Sequence, residues 1–320
     1  MKIDAHAHLM SRAFHEAIEA LPGVVSKPNQ YGRGLYRDGK YVVSFDDSWM
    51  ERDHVIRQMD AQKVDIRLIC LAPPHVYIFD PDRQGEVTRR VNDEMIAECR
   101  RHPDRLRVLA SLPLGDVEAS LKELERVATA KEVVGLTIGS NISTVQLADP
   151  RFEPVWARIN ELRMPVLEHP LNPFFADGMQ DYNLGVMLGY LFDTQLMVTR
   201  LILNGVFERY PDFPFIVAHT GGGLLGIMHR LDNASSRTPQ ARANMPKSFA
   251  TYAKNLYYDS CARYAPTIAN AIDFAGSDRI LYGTDYPYVY VDDSYLNNMP
   301  IASDARAAID GGNAQRVFKL

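Results

Sequence analysis

Phe213-Pro214-Phe215-Ile216-Val217-Ala218-His219-Thr220-Gly221-Gly222-Gly223 is the stretch whose reading decides the fold. Its apolar core is continuous rather than alternating, as expected of a strand covered on both faces. It then stops on a histidine followed by glycines. The same grammar recurs along the chain. Strands are predicted at residues 2–7, 65–72, 105–112, 133–138, 165–168, 213–218, 256–259 and 279–283. Amphipathic stretches separate them, predicting helices over 49–63, 85–102, 117–131, 151–163, 194–210, 224–235, 266–275 and 303–318. Ser48 and Glu51 have capping-box spacing, and Asp116 and Asp149-Pro150 are further helix starts. Eight strands alternating with eight helices, one pair per 40 residues or so, predict an α/β fold, a (β/α)8 TIM barrel, as one domain over 1–320. A doubly wound sheet is the alternative, but no GxGxxG follows the first strand.

Two long segments interrupt this rhythm, at about 10–47 after the first strand and 170–193 after the fifth. Both leave the carboxyl ends of strands, where barrels build their sites. Within the first, 35–40 and 41–45 suggest a small hairpin. The aromatics of the second, with Phe174 among them, read equally as a lid or as a satellite core.

Composition narrows the function classes. The chain has 320 residues, with 35 basic and 40 acidic side chains and a net charge of −5. No basic run supports a nucleic-acid partner. The apolar stretch 184–192 is too short and mixed to predict a membrane span. The N-terminus runs straight into a strand, and the three cysteines form no CxxC pair. Both features predict a cytoplasmic protein with free thiols.

The chemistry-bearing residues sit at strand ends. His6-Ala7-His8 places two imidazoles on one face of the first strand. His169, His219 and Asp285 close the fifth, sixth and eighth predicted strands. Any one of them reads as an ordinary core or strand-end residue. Four strand ends carrying this set read together as a metal site. His75 follows the second strand and also reaches toward the predicted mouth. His15, His54, His102 and His229 lie on insertions or helices and read as structural or solvated.

The wording of these motifs resembles the amidohydrolase superfamily, and within it the branch typified by aminocarboxymuconate semialdehyde decarboxylase. Met1-Lys2-Ile3-Asp4-Ala5-His6-Ala7-His8, Glu168-His169-Pro170, Asn204-Gly205-Val206-Phe207-Glu208-Arg209-Tyr210-Pro211, Ala218-His219 and Leu281-Tyr282-Gly283-Thr284-Asp285-Tyr286-Pro287 carry the likeness. The resemblance implies a metal-dependent nonoxidative decarboxylase of a small unsaturated or aromatic carboxylic acid. It implies His6, His8, His169 and Asp285 as metal ligands and His219 as the catalytic acid–base. One divalent ion is implied, with zinc placed first and manganese or another ion as alternatives. The fourth strand ends Ile138-Gly139-Ser140, without the lysine that bridges two metals in many hydrolases of the superfamily. Arg230 matches an arginine that holds a substrate carboxylate across a homodimer interface, and it reads equally as an exposed arginine paired with Asp232. The arginine which that decarboxylase carries in the stretch matching 41–49 is missing here, which favours a more apolar or aromatic acid. Trp49, Phe174, Tyr286, Tyr288 and Tyr290 are candidate pocket walls. The competing readings are hydrolysis of a lactone, ester or amide by a metal-activated water, with Asp285 as proton acceptor, and a non-catalytic binding protein.

Overall fold

Each apolar run becomes a strand because turn residues bound it and helices cover it. The computed structural model describes residues 1–51, 53–173, 175–179, 181–289 and 292–320. The barrel strands are β1 (Ile3–Leu9), β2 (Ile66–Leu71), β3 (Leu106–Ser111), β4 (Val133–Gly139), β5 (Val166–His169), β6 (Phe215–Val217), β7 (Tyr257–Asp259) and β8 (Ile280–Leu281). They form one sheet in chain order, and every neighbouring pair is parallel. The sheet closes on itself. Ala5 N donates to Tyr282 O at 2.9 Å, Asp285 N to His6 O at 2.9 Å, and His8 N to Tyr286 O at 2.7 Å.

Two packed layers follow from strand alternation. Ala5, Leu68, Leu109, Leu167, Ile216 and Leu281 point into the barrel. Their alternates, such as Ile69, Val108 and Val217, pack outward with helix residues. Ala314, Val317 and Phe318 of the last helix (Asn313–Phe318) join the inner layer and plug the end opposite the site. Each fully buried Leu or Ile contributes about 1.5–3 kcal/mol relative to exposure.

β1 contains the irregularity that matters most. Its register with β2 slips by one residue between Asp4 and Ala7. Without the slip, strict alternation would put Ala7 inside with Ile3 and Ala5. Instead Ala7 packs in the outer layer while His6 and His8 face the interior. A β-bulge thus re-aims the two histidines.

The insertions depart from expectation in three ways. Segment 10–47 holds a helix (Arg12–Glu19) and a three-stranded antiparallel sheet of Val24–Asn29, Gly32–Arg37 and Lys40–Phe45, rather than a lone hairpin. The turn falls at Asp38-Gly39, with φ of 50° and 80°, inside the predicted first limb. The Ser48–Glu51 capping box does not form. Asp46 instead accepts from Ser48 N at 2.8 Å, and the helix begins only at His54, after a left-handed Asp53. Asp116 and Asp149 do cap, accepting from Ala119 N and Arg151 N at 3.0 Å. Finally, 184–192 runs on through a π-helical turn (Gly185–Gly189) into the helix Tyr190–Leu203. The joined run Asp181–Leu203 has the length and apolarity of a membrane span. Its second half is spent on the barrel, where Met197, Val198, Leu201 and Ile202 are buried.

Candidate metal centre at the barrel mouth

Three strand ends deliver one set of four donors. Oδ1 of Asp285, just past β8, lies 3.2 Å from His8 Nε2, 3.6 Å from His6 Nε2 and 3.8 Å from His169 Nε2. All four ligand atoms fall within 4.8 Å of one another. Donors about 2.1 Å from a common ion stand roughly 3.4 Å apart in a tetrahedron, so the set has the dimensions of one coordination shell.

The opposite nitrogens are all engaged, which fixes the tautomers. His6 Nδ1 lies 2.6 Å from Asp259 Oδ2, His169 Nδ1 3.0 Å from Pro170 O, and His8 Nδ1 3.3 Å from Cys70 Sγ. An imidazole that donates from Nδ1 presents a lone pair at Nε2. Nε2 of His6 and of His169 are buried with no hydrogen-bond partner. Orphaned acceptors converging on a carboxylate fit a divalent cation, and imidazole with carboxylate suits zinc, manganese and several others.

Electrostatics agree. Burial alone would lift the Asp285 carboxyl, but the imidazoles of His169, His219 and His8 gathered around it hold it well below the usual carboxylate range. Burial drives the His169 pKa down, while at His8 the same burial is outweighed by Cys70 and Asp285, which raise it to about 10.

His219 stands on the other side of the carboxylate, its Nε2 3.5 Å from Asp285 Oδ2. His219 has φ of 52°, Thr220 of 53°, and Gly221 to Gly223 are positive as well. Asp285 is also left-handed, with φ of 59°. Such a conformation costs a non-glycine residue about 1 kcal/mol, so backbone strain collects where the side chains are aimed. Asp259 Oδ1 stabilises the turn by accepting from Thr220 N at 2.9 Å and Cys261 N at 3.0 Å.

Above these groups opens a cavity of about 380 Å³, reached by His169, His219 and Asp285 and walled by Tyr31, Tyr41, Tyr190 and Tyr288. The predicted walls need correction. Tyr286 faces away, buried under the Arg67 guanidinium at 4.2 Å, because it alternates with the inward Asp285. Trp49 stands behind the cavity, against Tyr31 and Tyr288. Phe174 and Tyr290 lie outside the described residues. Arg230 is exposed on the helix Met228–Ser236 and does not line the cavity of its own chain. At the end of β4, a Cβ on Gly139 would stand 2.6 Å from Leu171 Cδ1 and 2.8 Å from Tyr77 Cε2, so the place of a bridging lysine is filled.

Sequence reasoning missed Asp259, although a polar residue ending the seventh predicted strand was a signal of the kind used elsewhere. It also missed Arg263, and of the four tyrosines it named only Tyr288 as a pocket wall. His75 is buried beside the site with its ring 6.0 Å from that of His169. Neither of its nitrogens has a hydrogen-bond partner, and burial lowers its pKa to about 3.

A closed parallel barrel with imidazoles and a carboxylate gathered at its carboxyl end defines the class: a barrel metalloenzyme. Residues 3–320 match the sequence profile of the amidohydrolases, and the chain belongs to that family. It is 30% identical over 299 residues to gamma-resorcylate decarboxylase of Rhizobium radiobacter, covering 86% of this chain and 91% of the relative. It is 26% identical over 294 residues to 2-amino-3-carboxymuconate-6-semialdehyde decarboxylase of Dictyostelium discoideum, covering 90% and 82%. The branch resemblance read from the motifs is borne out. The crystal structure of a dihydroxybenzoic acid decarboxylase from Polaromonas sp. JS666, with bound manganese and the inhibitor 2-nitroresorcinol, superposes with a TM-score of 0.81. It is 25% identical, over 100% of this chain and 97% of that one.

Proposed function

We propose that this chain is a nonoxidative decarboxylase of a small aromatic carboxylic acid, dependent on one divalent metal ion held by His6, His8, His169 and Asp285. The observation that carries the reading is the division of Asp285: one oxygen among three imidazole Nε2 atoms, the other toward His219. When bound, the ion supplies an anchor for the substrate's carboxylate or an adjacent oxygen and stabilises developing negative charge. The remaining work falls to the chain itself. The tyrosine walls receive the ring and exclude water. The carbon–carbon bond to the carboxylate breaks, carbon dioxide leaves, and the bond's electron pair stays on the ring carbon. That carbon takes a proton from Nε2 of His219, which solvent then restores. Asp285 Oδ2 keeps the imidazole oriented for the transfer.

The decarboxylases among the relatives favour this reaction over the hydrolytic alternative, for which nothing in the site speaks separately. Manganese bound in the Polaromonas enzyme sets it beside zinc as the native ion. The chain acts as one domain, in the cytoplasm and as a homodimer, with Arg230 serving the neighbouring subunit. Support for self-association is the exposure of Met187, Leu188 and Phe192 on one helical stretch. The test is carbon dioxide release from a panel of hydroxybenzoates, 2,6-dihydroxybenzoate first, by protein stripped of metal and reloaded with manganese or zinc. Release that requires the metal supports the proposal. Acid release from lactones, with no gas from any carboxylic acid, overturns it.

A further inference from the structure

We propose that Arg263 makes this chain select substrates with a second anionic group, distal to the carboxylate that is lost; the inference rests on the decarboxylase reading above. Among the described residues that line the cavity, Arg263 is the sole lysine or arginine. It follows β7 by four residues, with φ of 51°. Its guanidinium is braced over the Tyr295 ring at 5.5 Å, and one N–H donates to the Asp292 carbonyl oxygen at 2.9 Å. It forms no ion pair among the described residues. A partly exposed arginine lining a largely apolar cavity, with donors to spare and no salt bridge among the described residues, is matched by a ligand carboxylate through paired charge-assisted hydrogen bonds. Asp285, the one carboxylate lining the cavity, is already committed to four imidazoles.

The transition state decides which ligand charge Arg263 holds. As carbon dioxide forms, negative charge leaves the reacting carboxylate for the ring. A guanidinium paired with that carboxylate alone, unable to follow the charge onto the ring, would stabilise the ground state more than the transition state and slow the reaction. A cation on a charge that persists throughout contributes binding and orientation without that penalty. Arg263 thereby supplies from the seventh strand end a guanidinium that segment 41–49 lacks.

The test reads binding, not turnover. Manganese-loaded wild-type protein, Arg263→Gln and Arg263→Lys are titrated calorimetrically with isophthalate and with benzoate. Manganese content and melting temperature are measured for each variant to verify folding. The wild type is expected to bind isophthalate at least about tenfold more tightly than benzoate, the margin of one charge-assisted pair. Arg263→Gln loses that margin while binding benzoate within about twofold of wild type, and Arg263→Lys retains part of it. Equal affinity of the wild type for the two acids overturns the assignment, as does an unchanged margin in Arg263→Gln. Because no catalysis is required, a protein that decarboxylates nothing yet shows the margin would refute the reaction while leaving Arg263 as the site that selects a second anionic group.

Discussion

His6 Nδ1 and Asp259 Oδ2 stand 2.6 Å apart, and both side chains are wholly sealed from solvent. The carboxylate does three things at once: it orients His6, and its other oxygen holds the backbone N–H groups of Thr220 and Cys261. Burial would raise its pKa, but the bond to His6 and the charges of His6 and His219 keep it low. Asp259→Asn is therefore expected to weaken metal affinity about 10–100-fold, the usual scale for losing a partner behind a metal-bound histidine. Competition against a chelator measures it; an unaltered dissociation constant would remove the orienting role.

His219 is expected to separate metal binding from turnover. His219→Asn keeps a side chain that tolerates left-handed backbone, so the turn survives. Metal content should stay at wild-type level, while carbon dioxide release falls on the order of 100-fold or more. Loss of the metal together with activity would instead make His219 a ligand.

His75 predicts a pH effect of definite sign. Its folded pKa lies near 3, below the ordinary 6.5, because burial disfavours the cation. The unfolded chain thus binds a proton that the folded chain refuses. The stability concerned is complete above about pH 6.5 and is lost as pH falls toward 3. Between pH 6.5 and 5 the loss is about 2 kcal/mol. Urea unfolding of wild type and His75→Leu at both pH values measures it. The variant should weaken less on acidification, and equal slopes would contradict the prediction.

Gly139 predicts intolerance at the end of the fourth strand. With Leu171 and Tyr77 already within 3 Å of an added Cβ, Gly139→Ala should destabilise the protein by about 1–3 kcal/mol. Gly139→Lys should not bring the metal content above one ion per chain. Thermal melting and elemental analysis decide both points, and two bound ions in the lysine variant would refute the steric argument.

Most of the barrel was legible because strands buried on both faces leave continuous apolar runs, and polar residues ending those runs mark one end of the sheet. His6 and His8 could be paired by alternation alone, although the bulge that turns them inward could not be read. Tyr286 was misplaced by ignoring the same alternation one residue beyond Asp285. The Asp38-Gly39 turn was written in the sequence and overlooked, and the first strand of the insertion sheet, Val24–Asn29, was missed as well. Arg263 belongs to another category. Nothing local distinguishes it from the exposed Arg230, since only closure of the barrel brings it to the cavity wall.

Asp4 accepts from Thr284 N and Thr284 Oγ1 at 3.0 and 2.7 Å and from Arg67 Nε at 2.9 Å, beneath ligands 277 residues apart. The first and last strands of the sheet are thus joined by a latch that neither half can close alone. During synthesis on the ribosome, His6 and His8 emerge early and wait for nearly the whole chain before their carboxylate partner arrives. Completion of the proposed metal centre consequently waits on synthesis of the chain past β8, and a chain halted before it lacks the carboxylate that the three imidazoles surround.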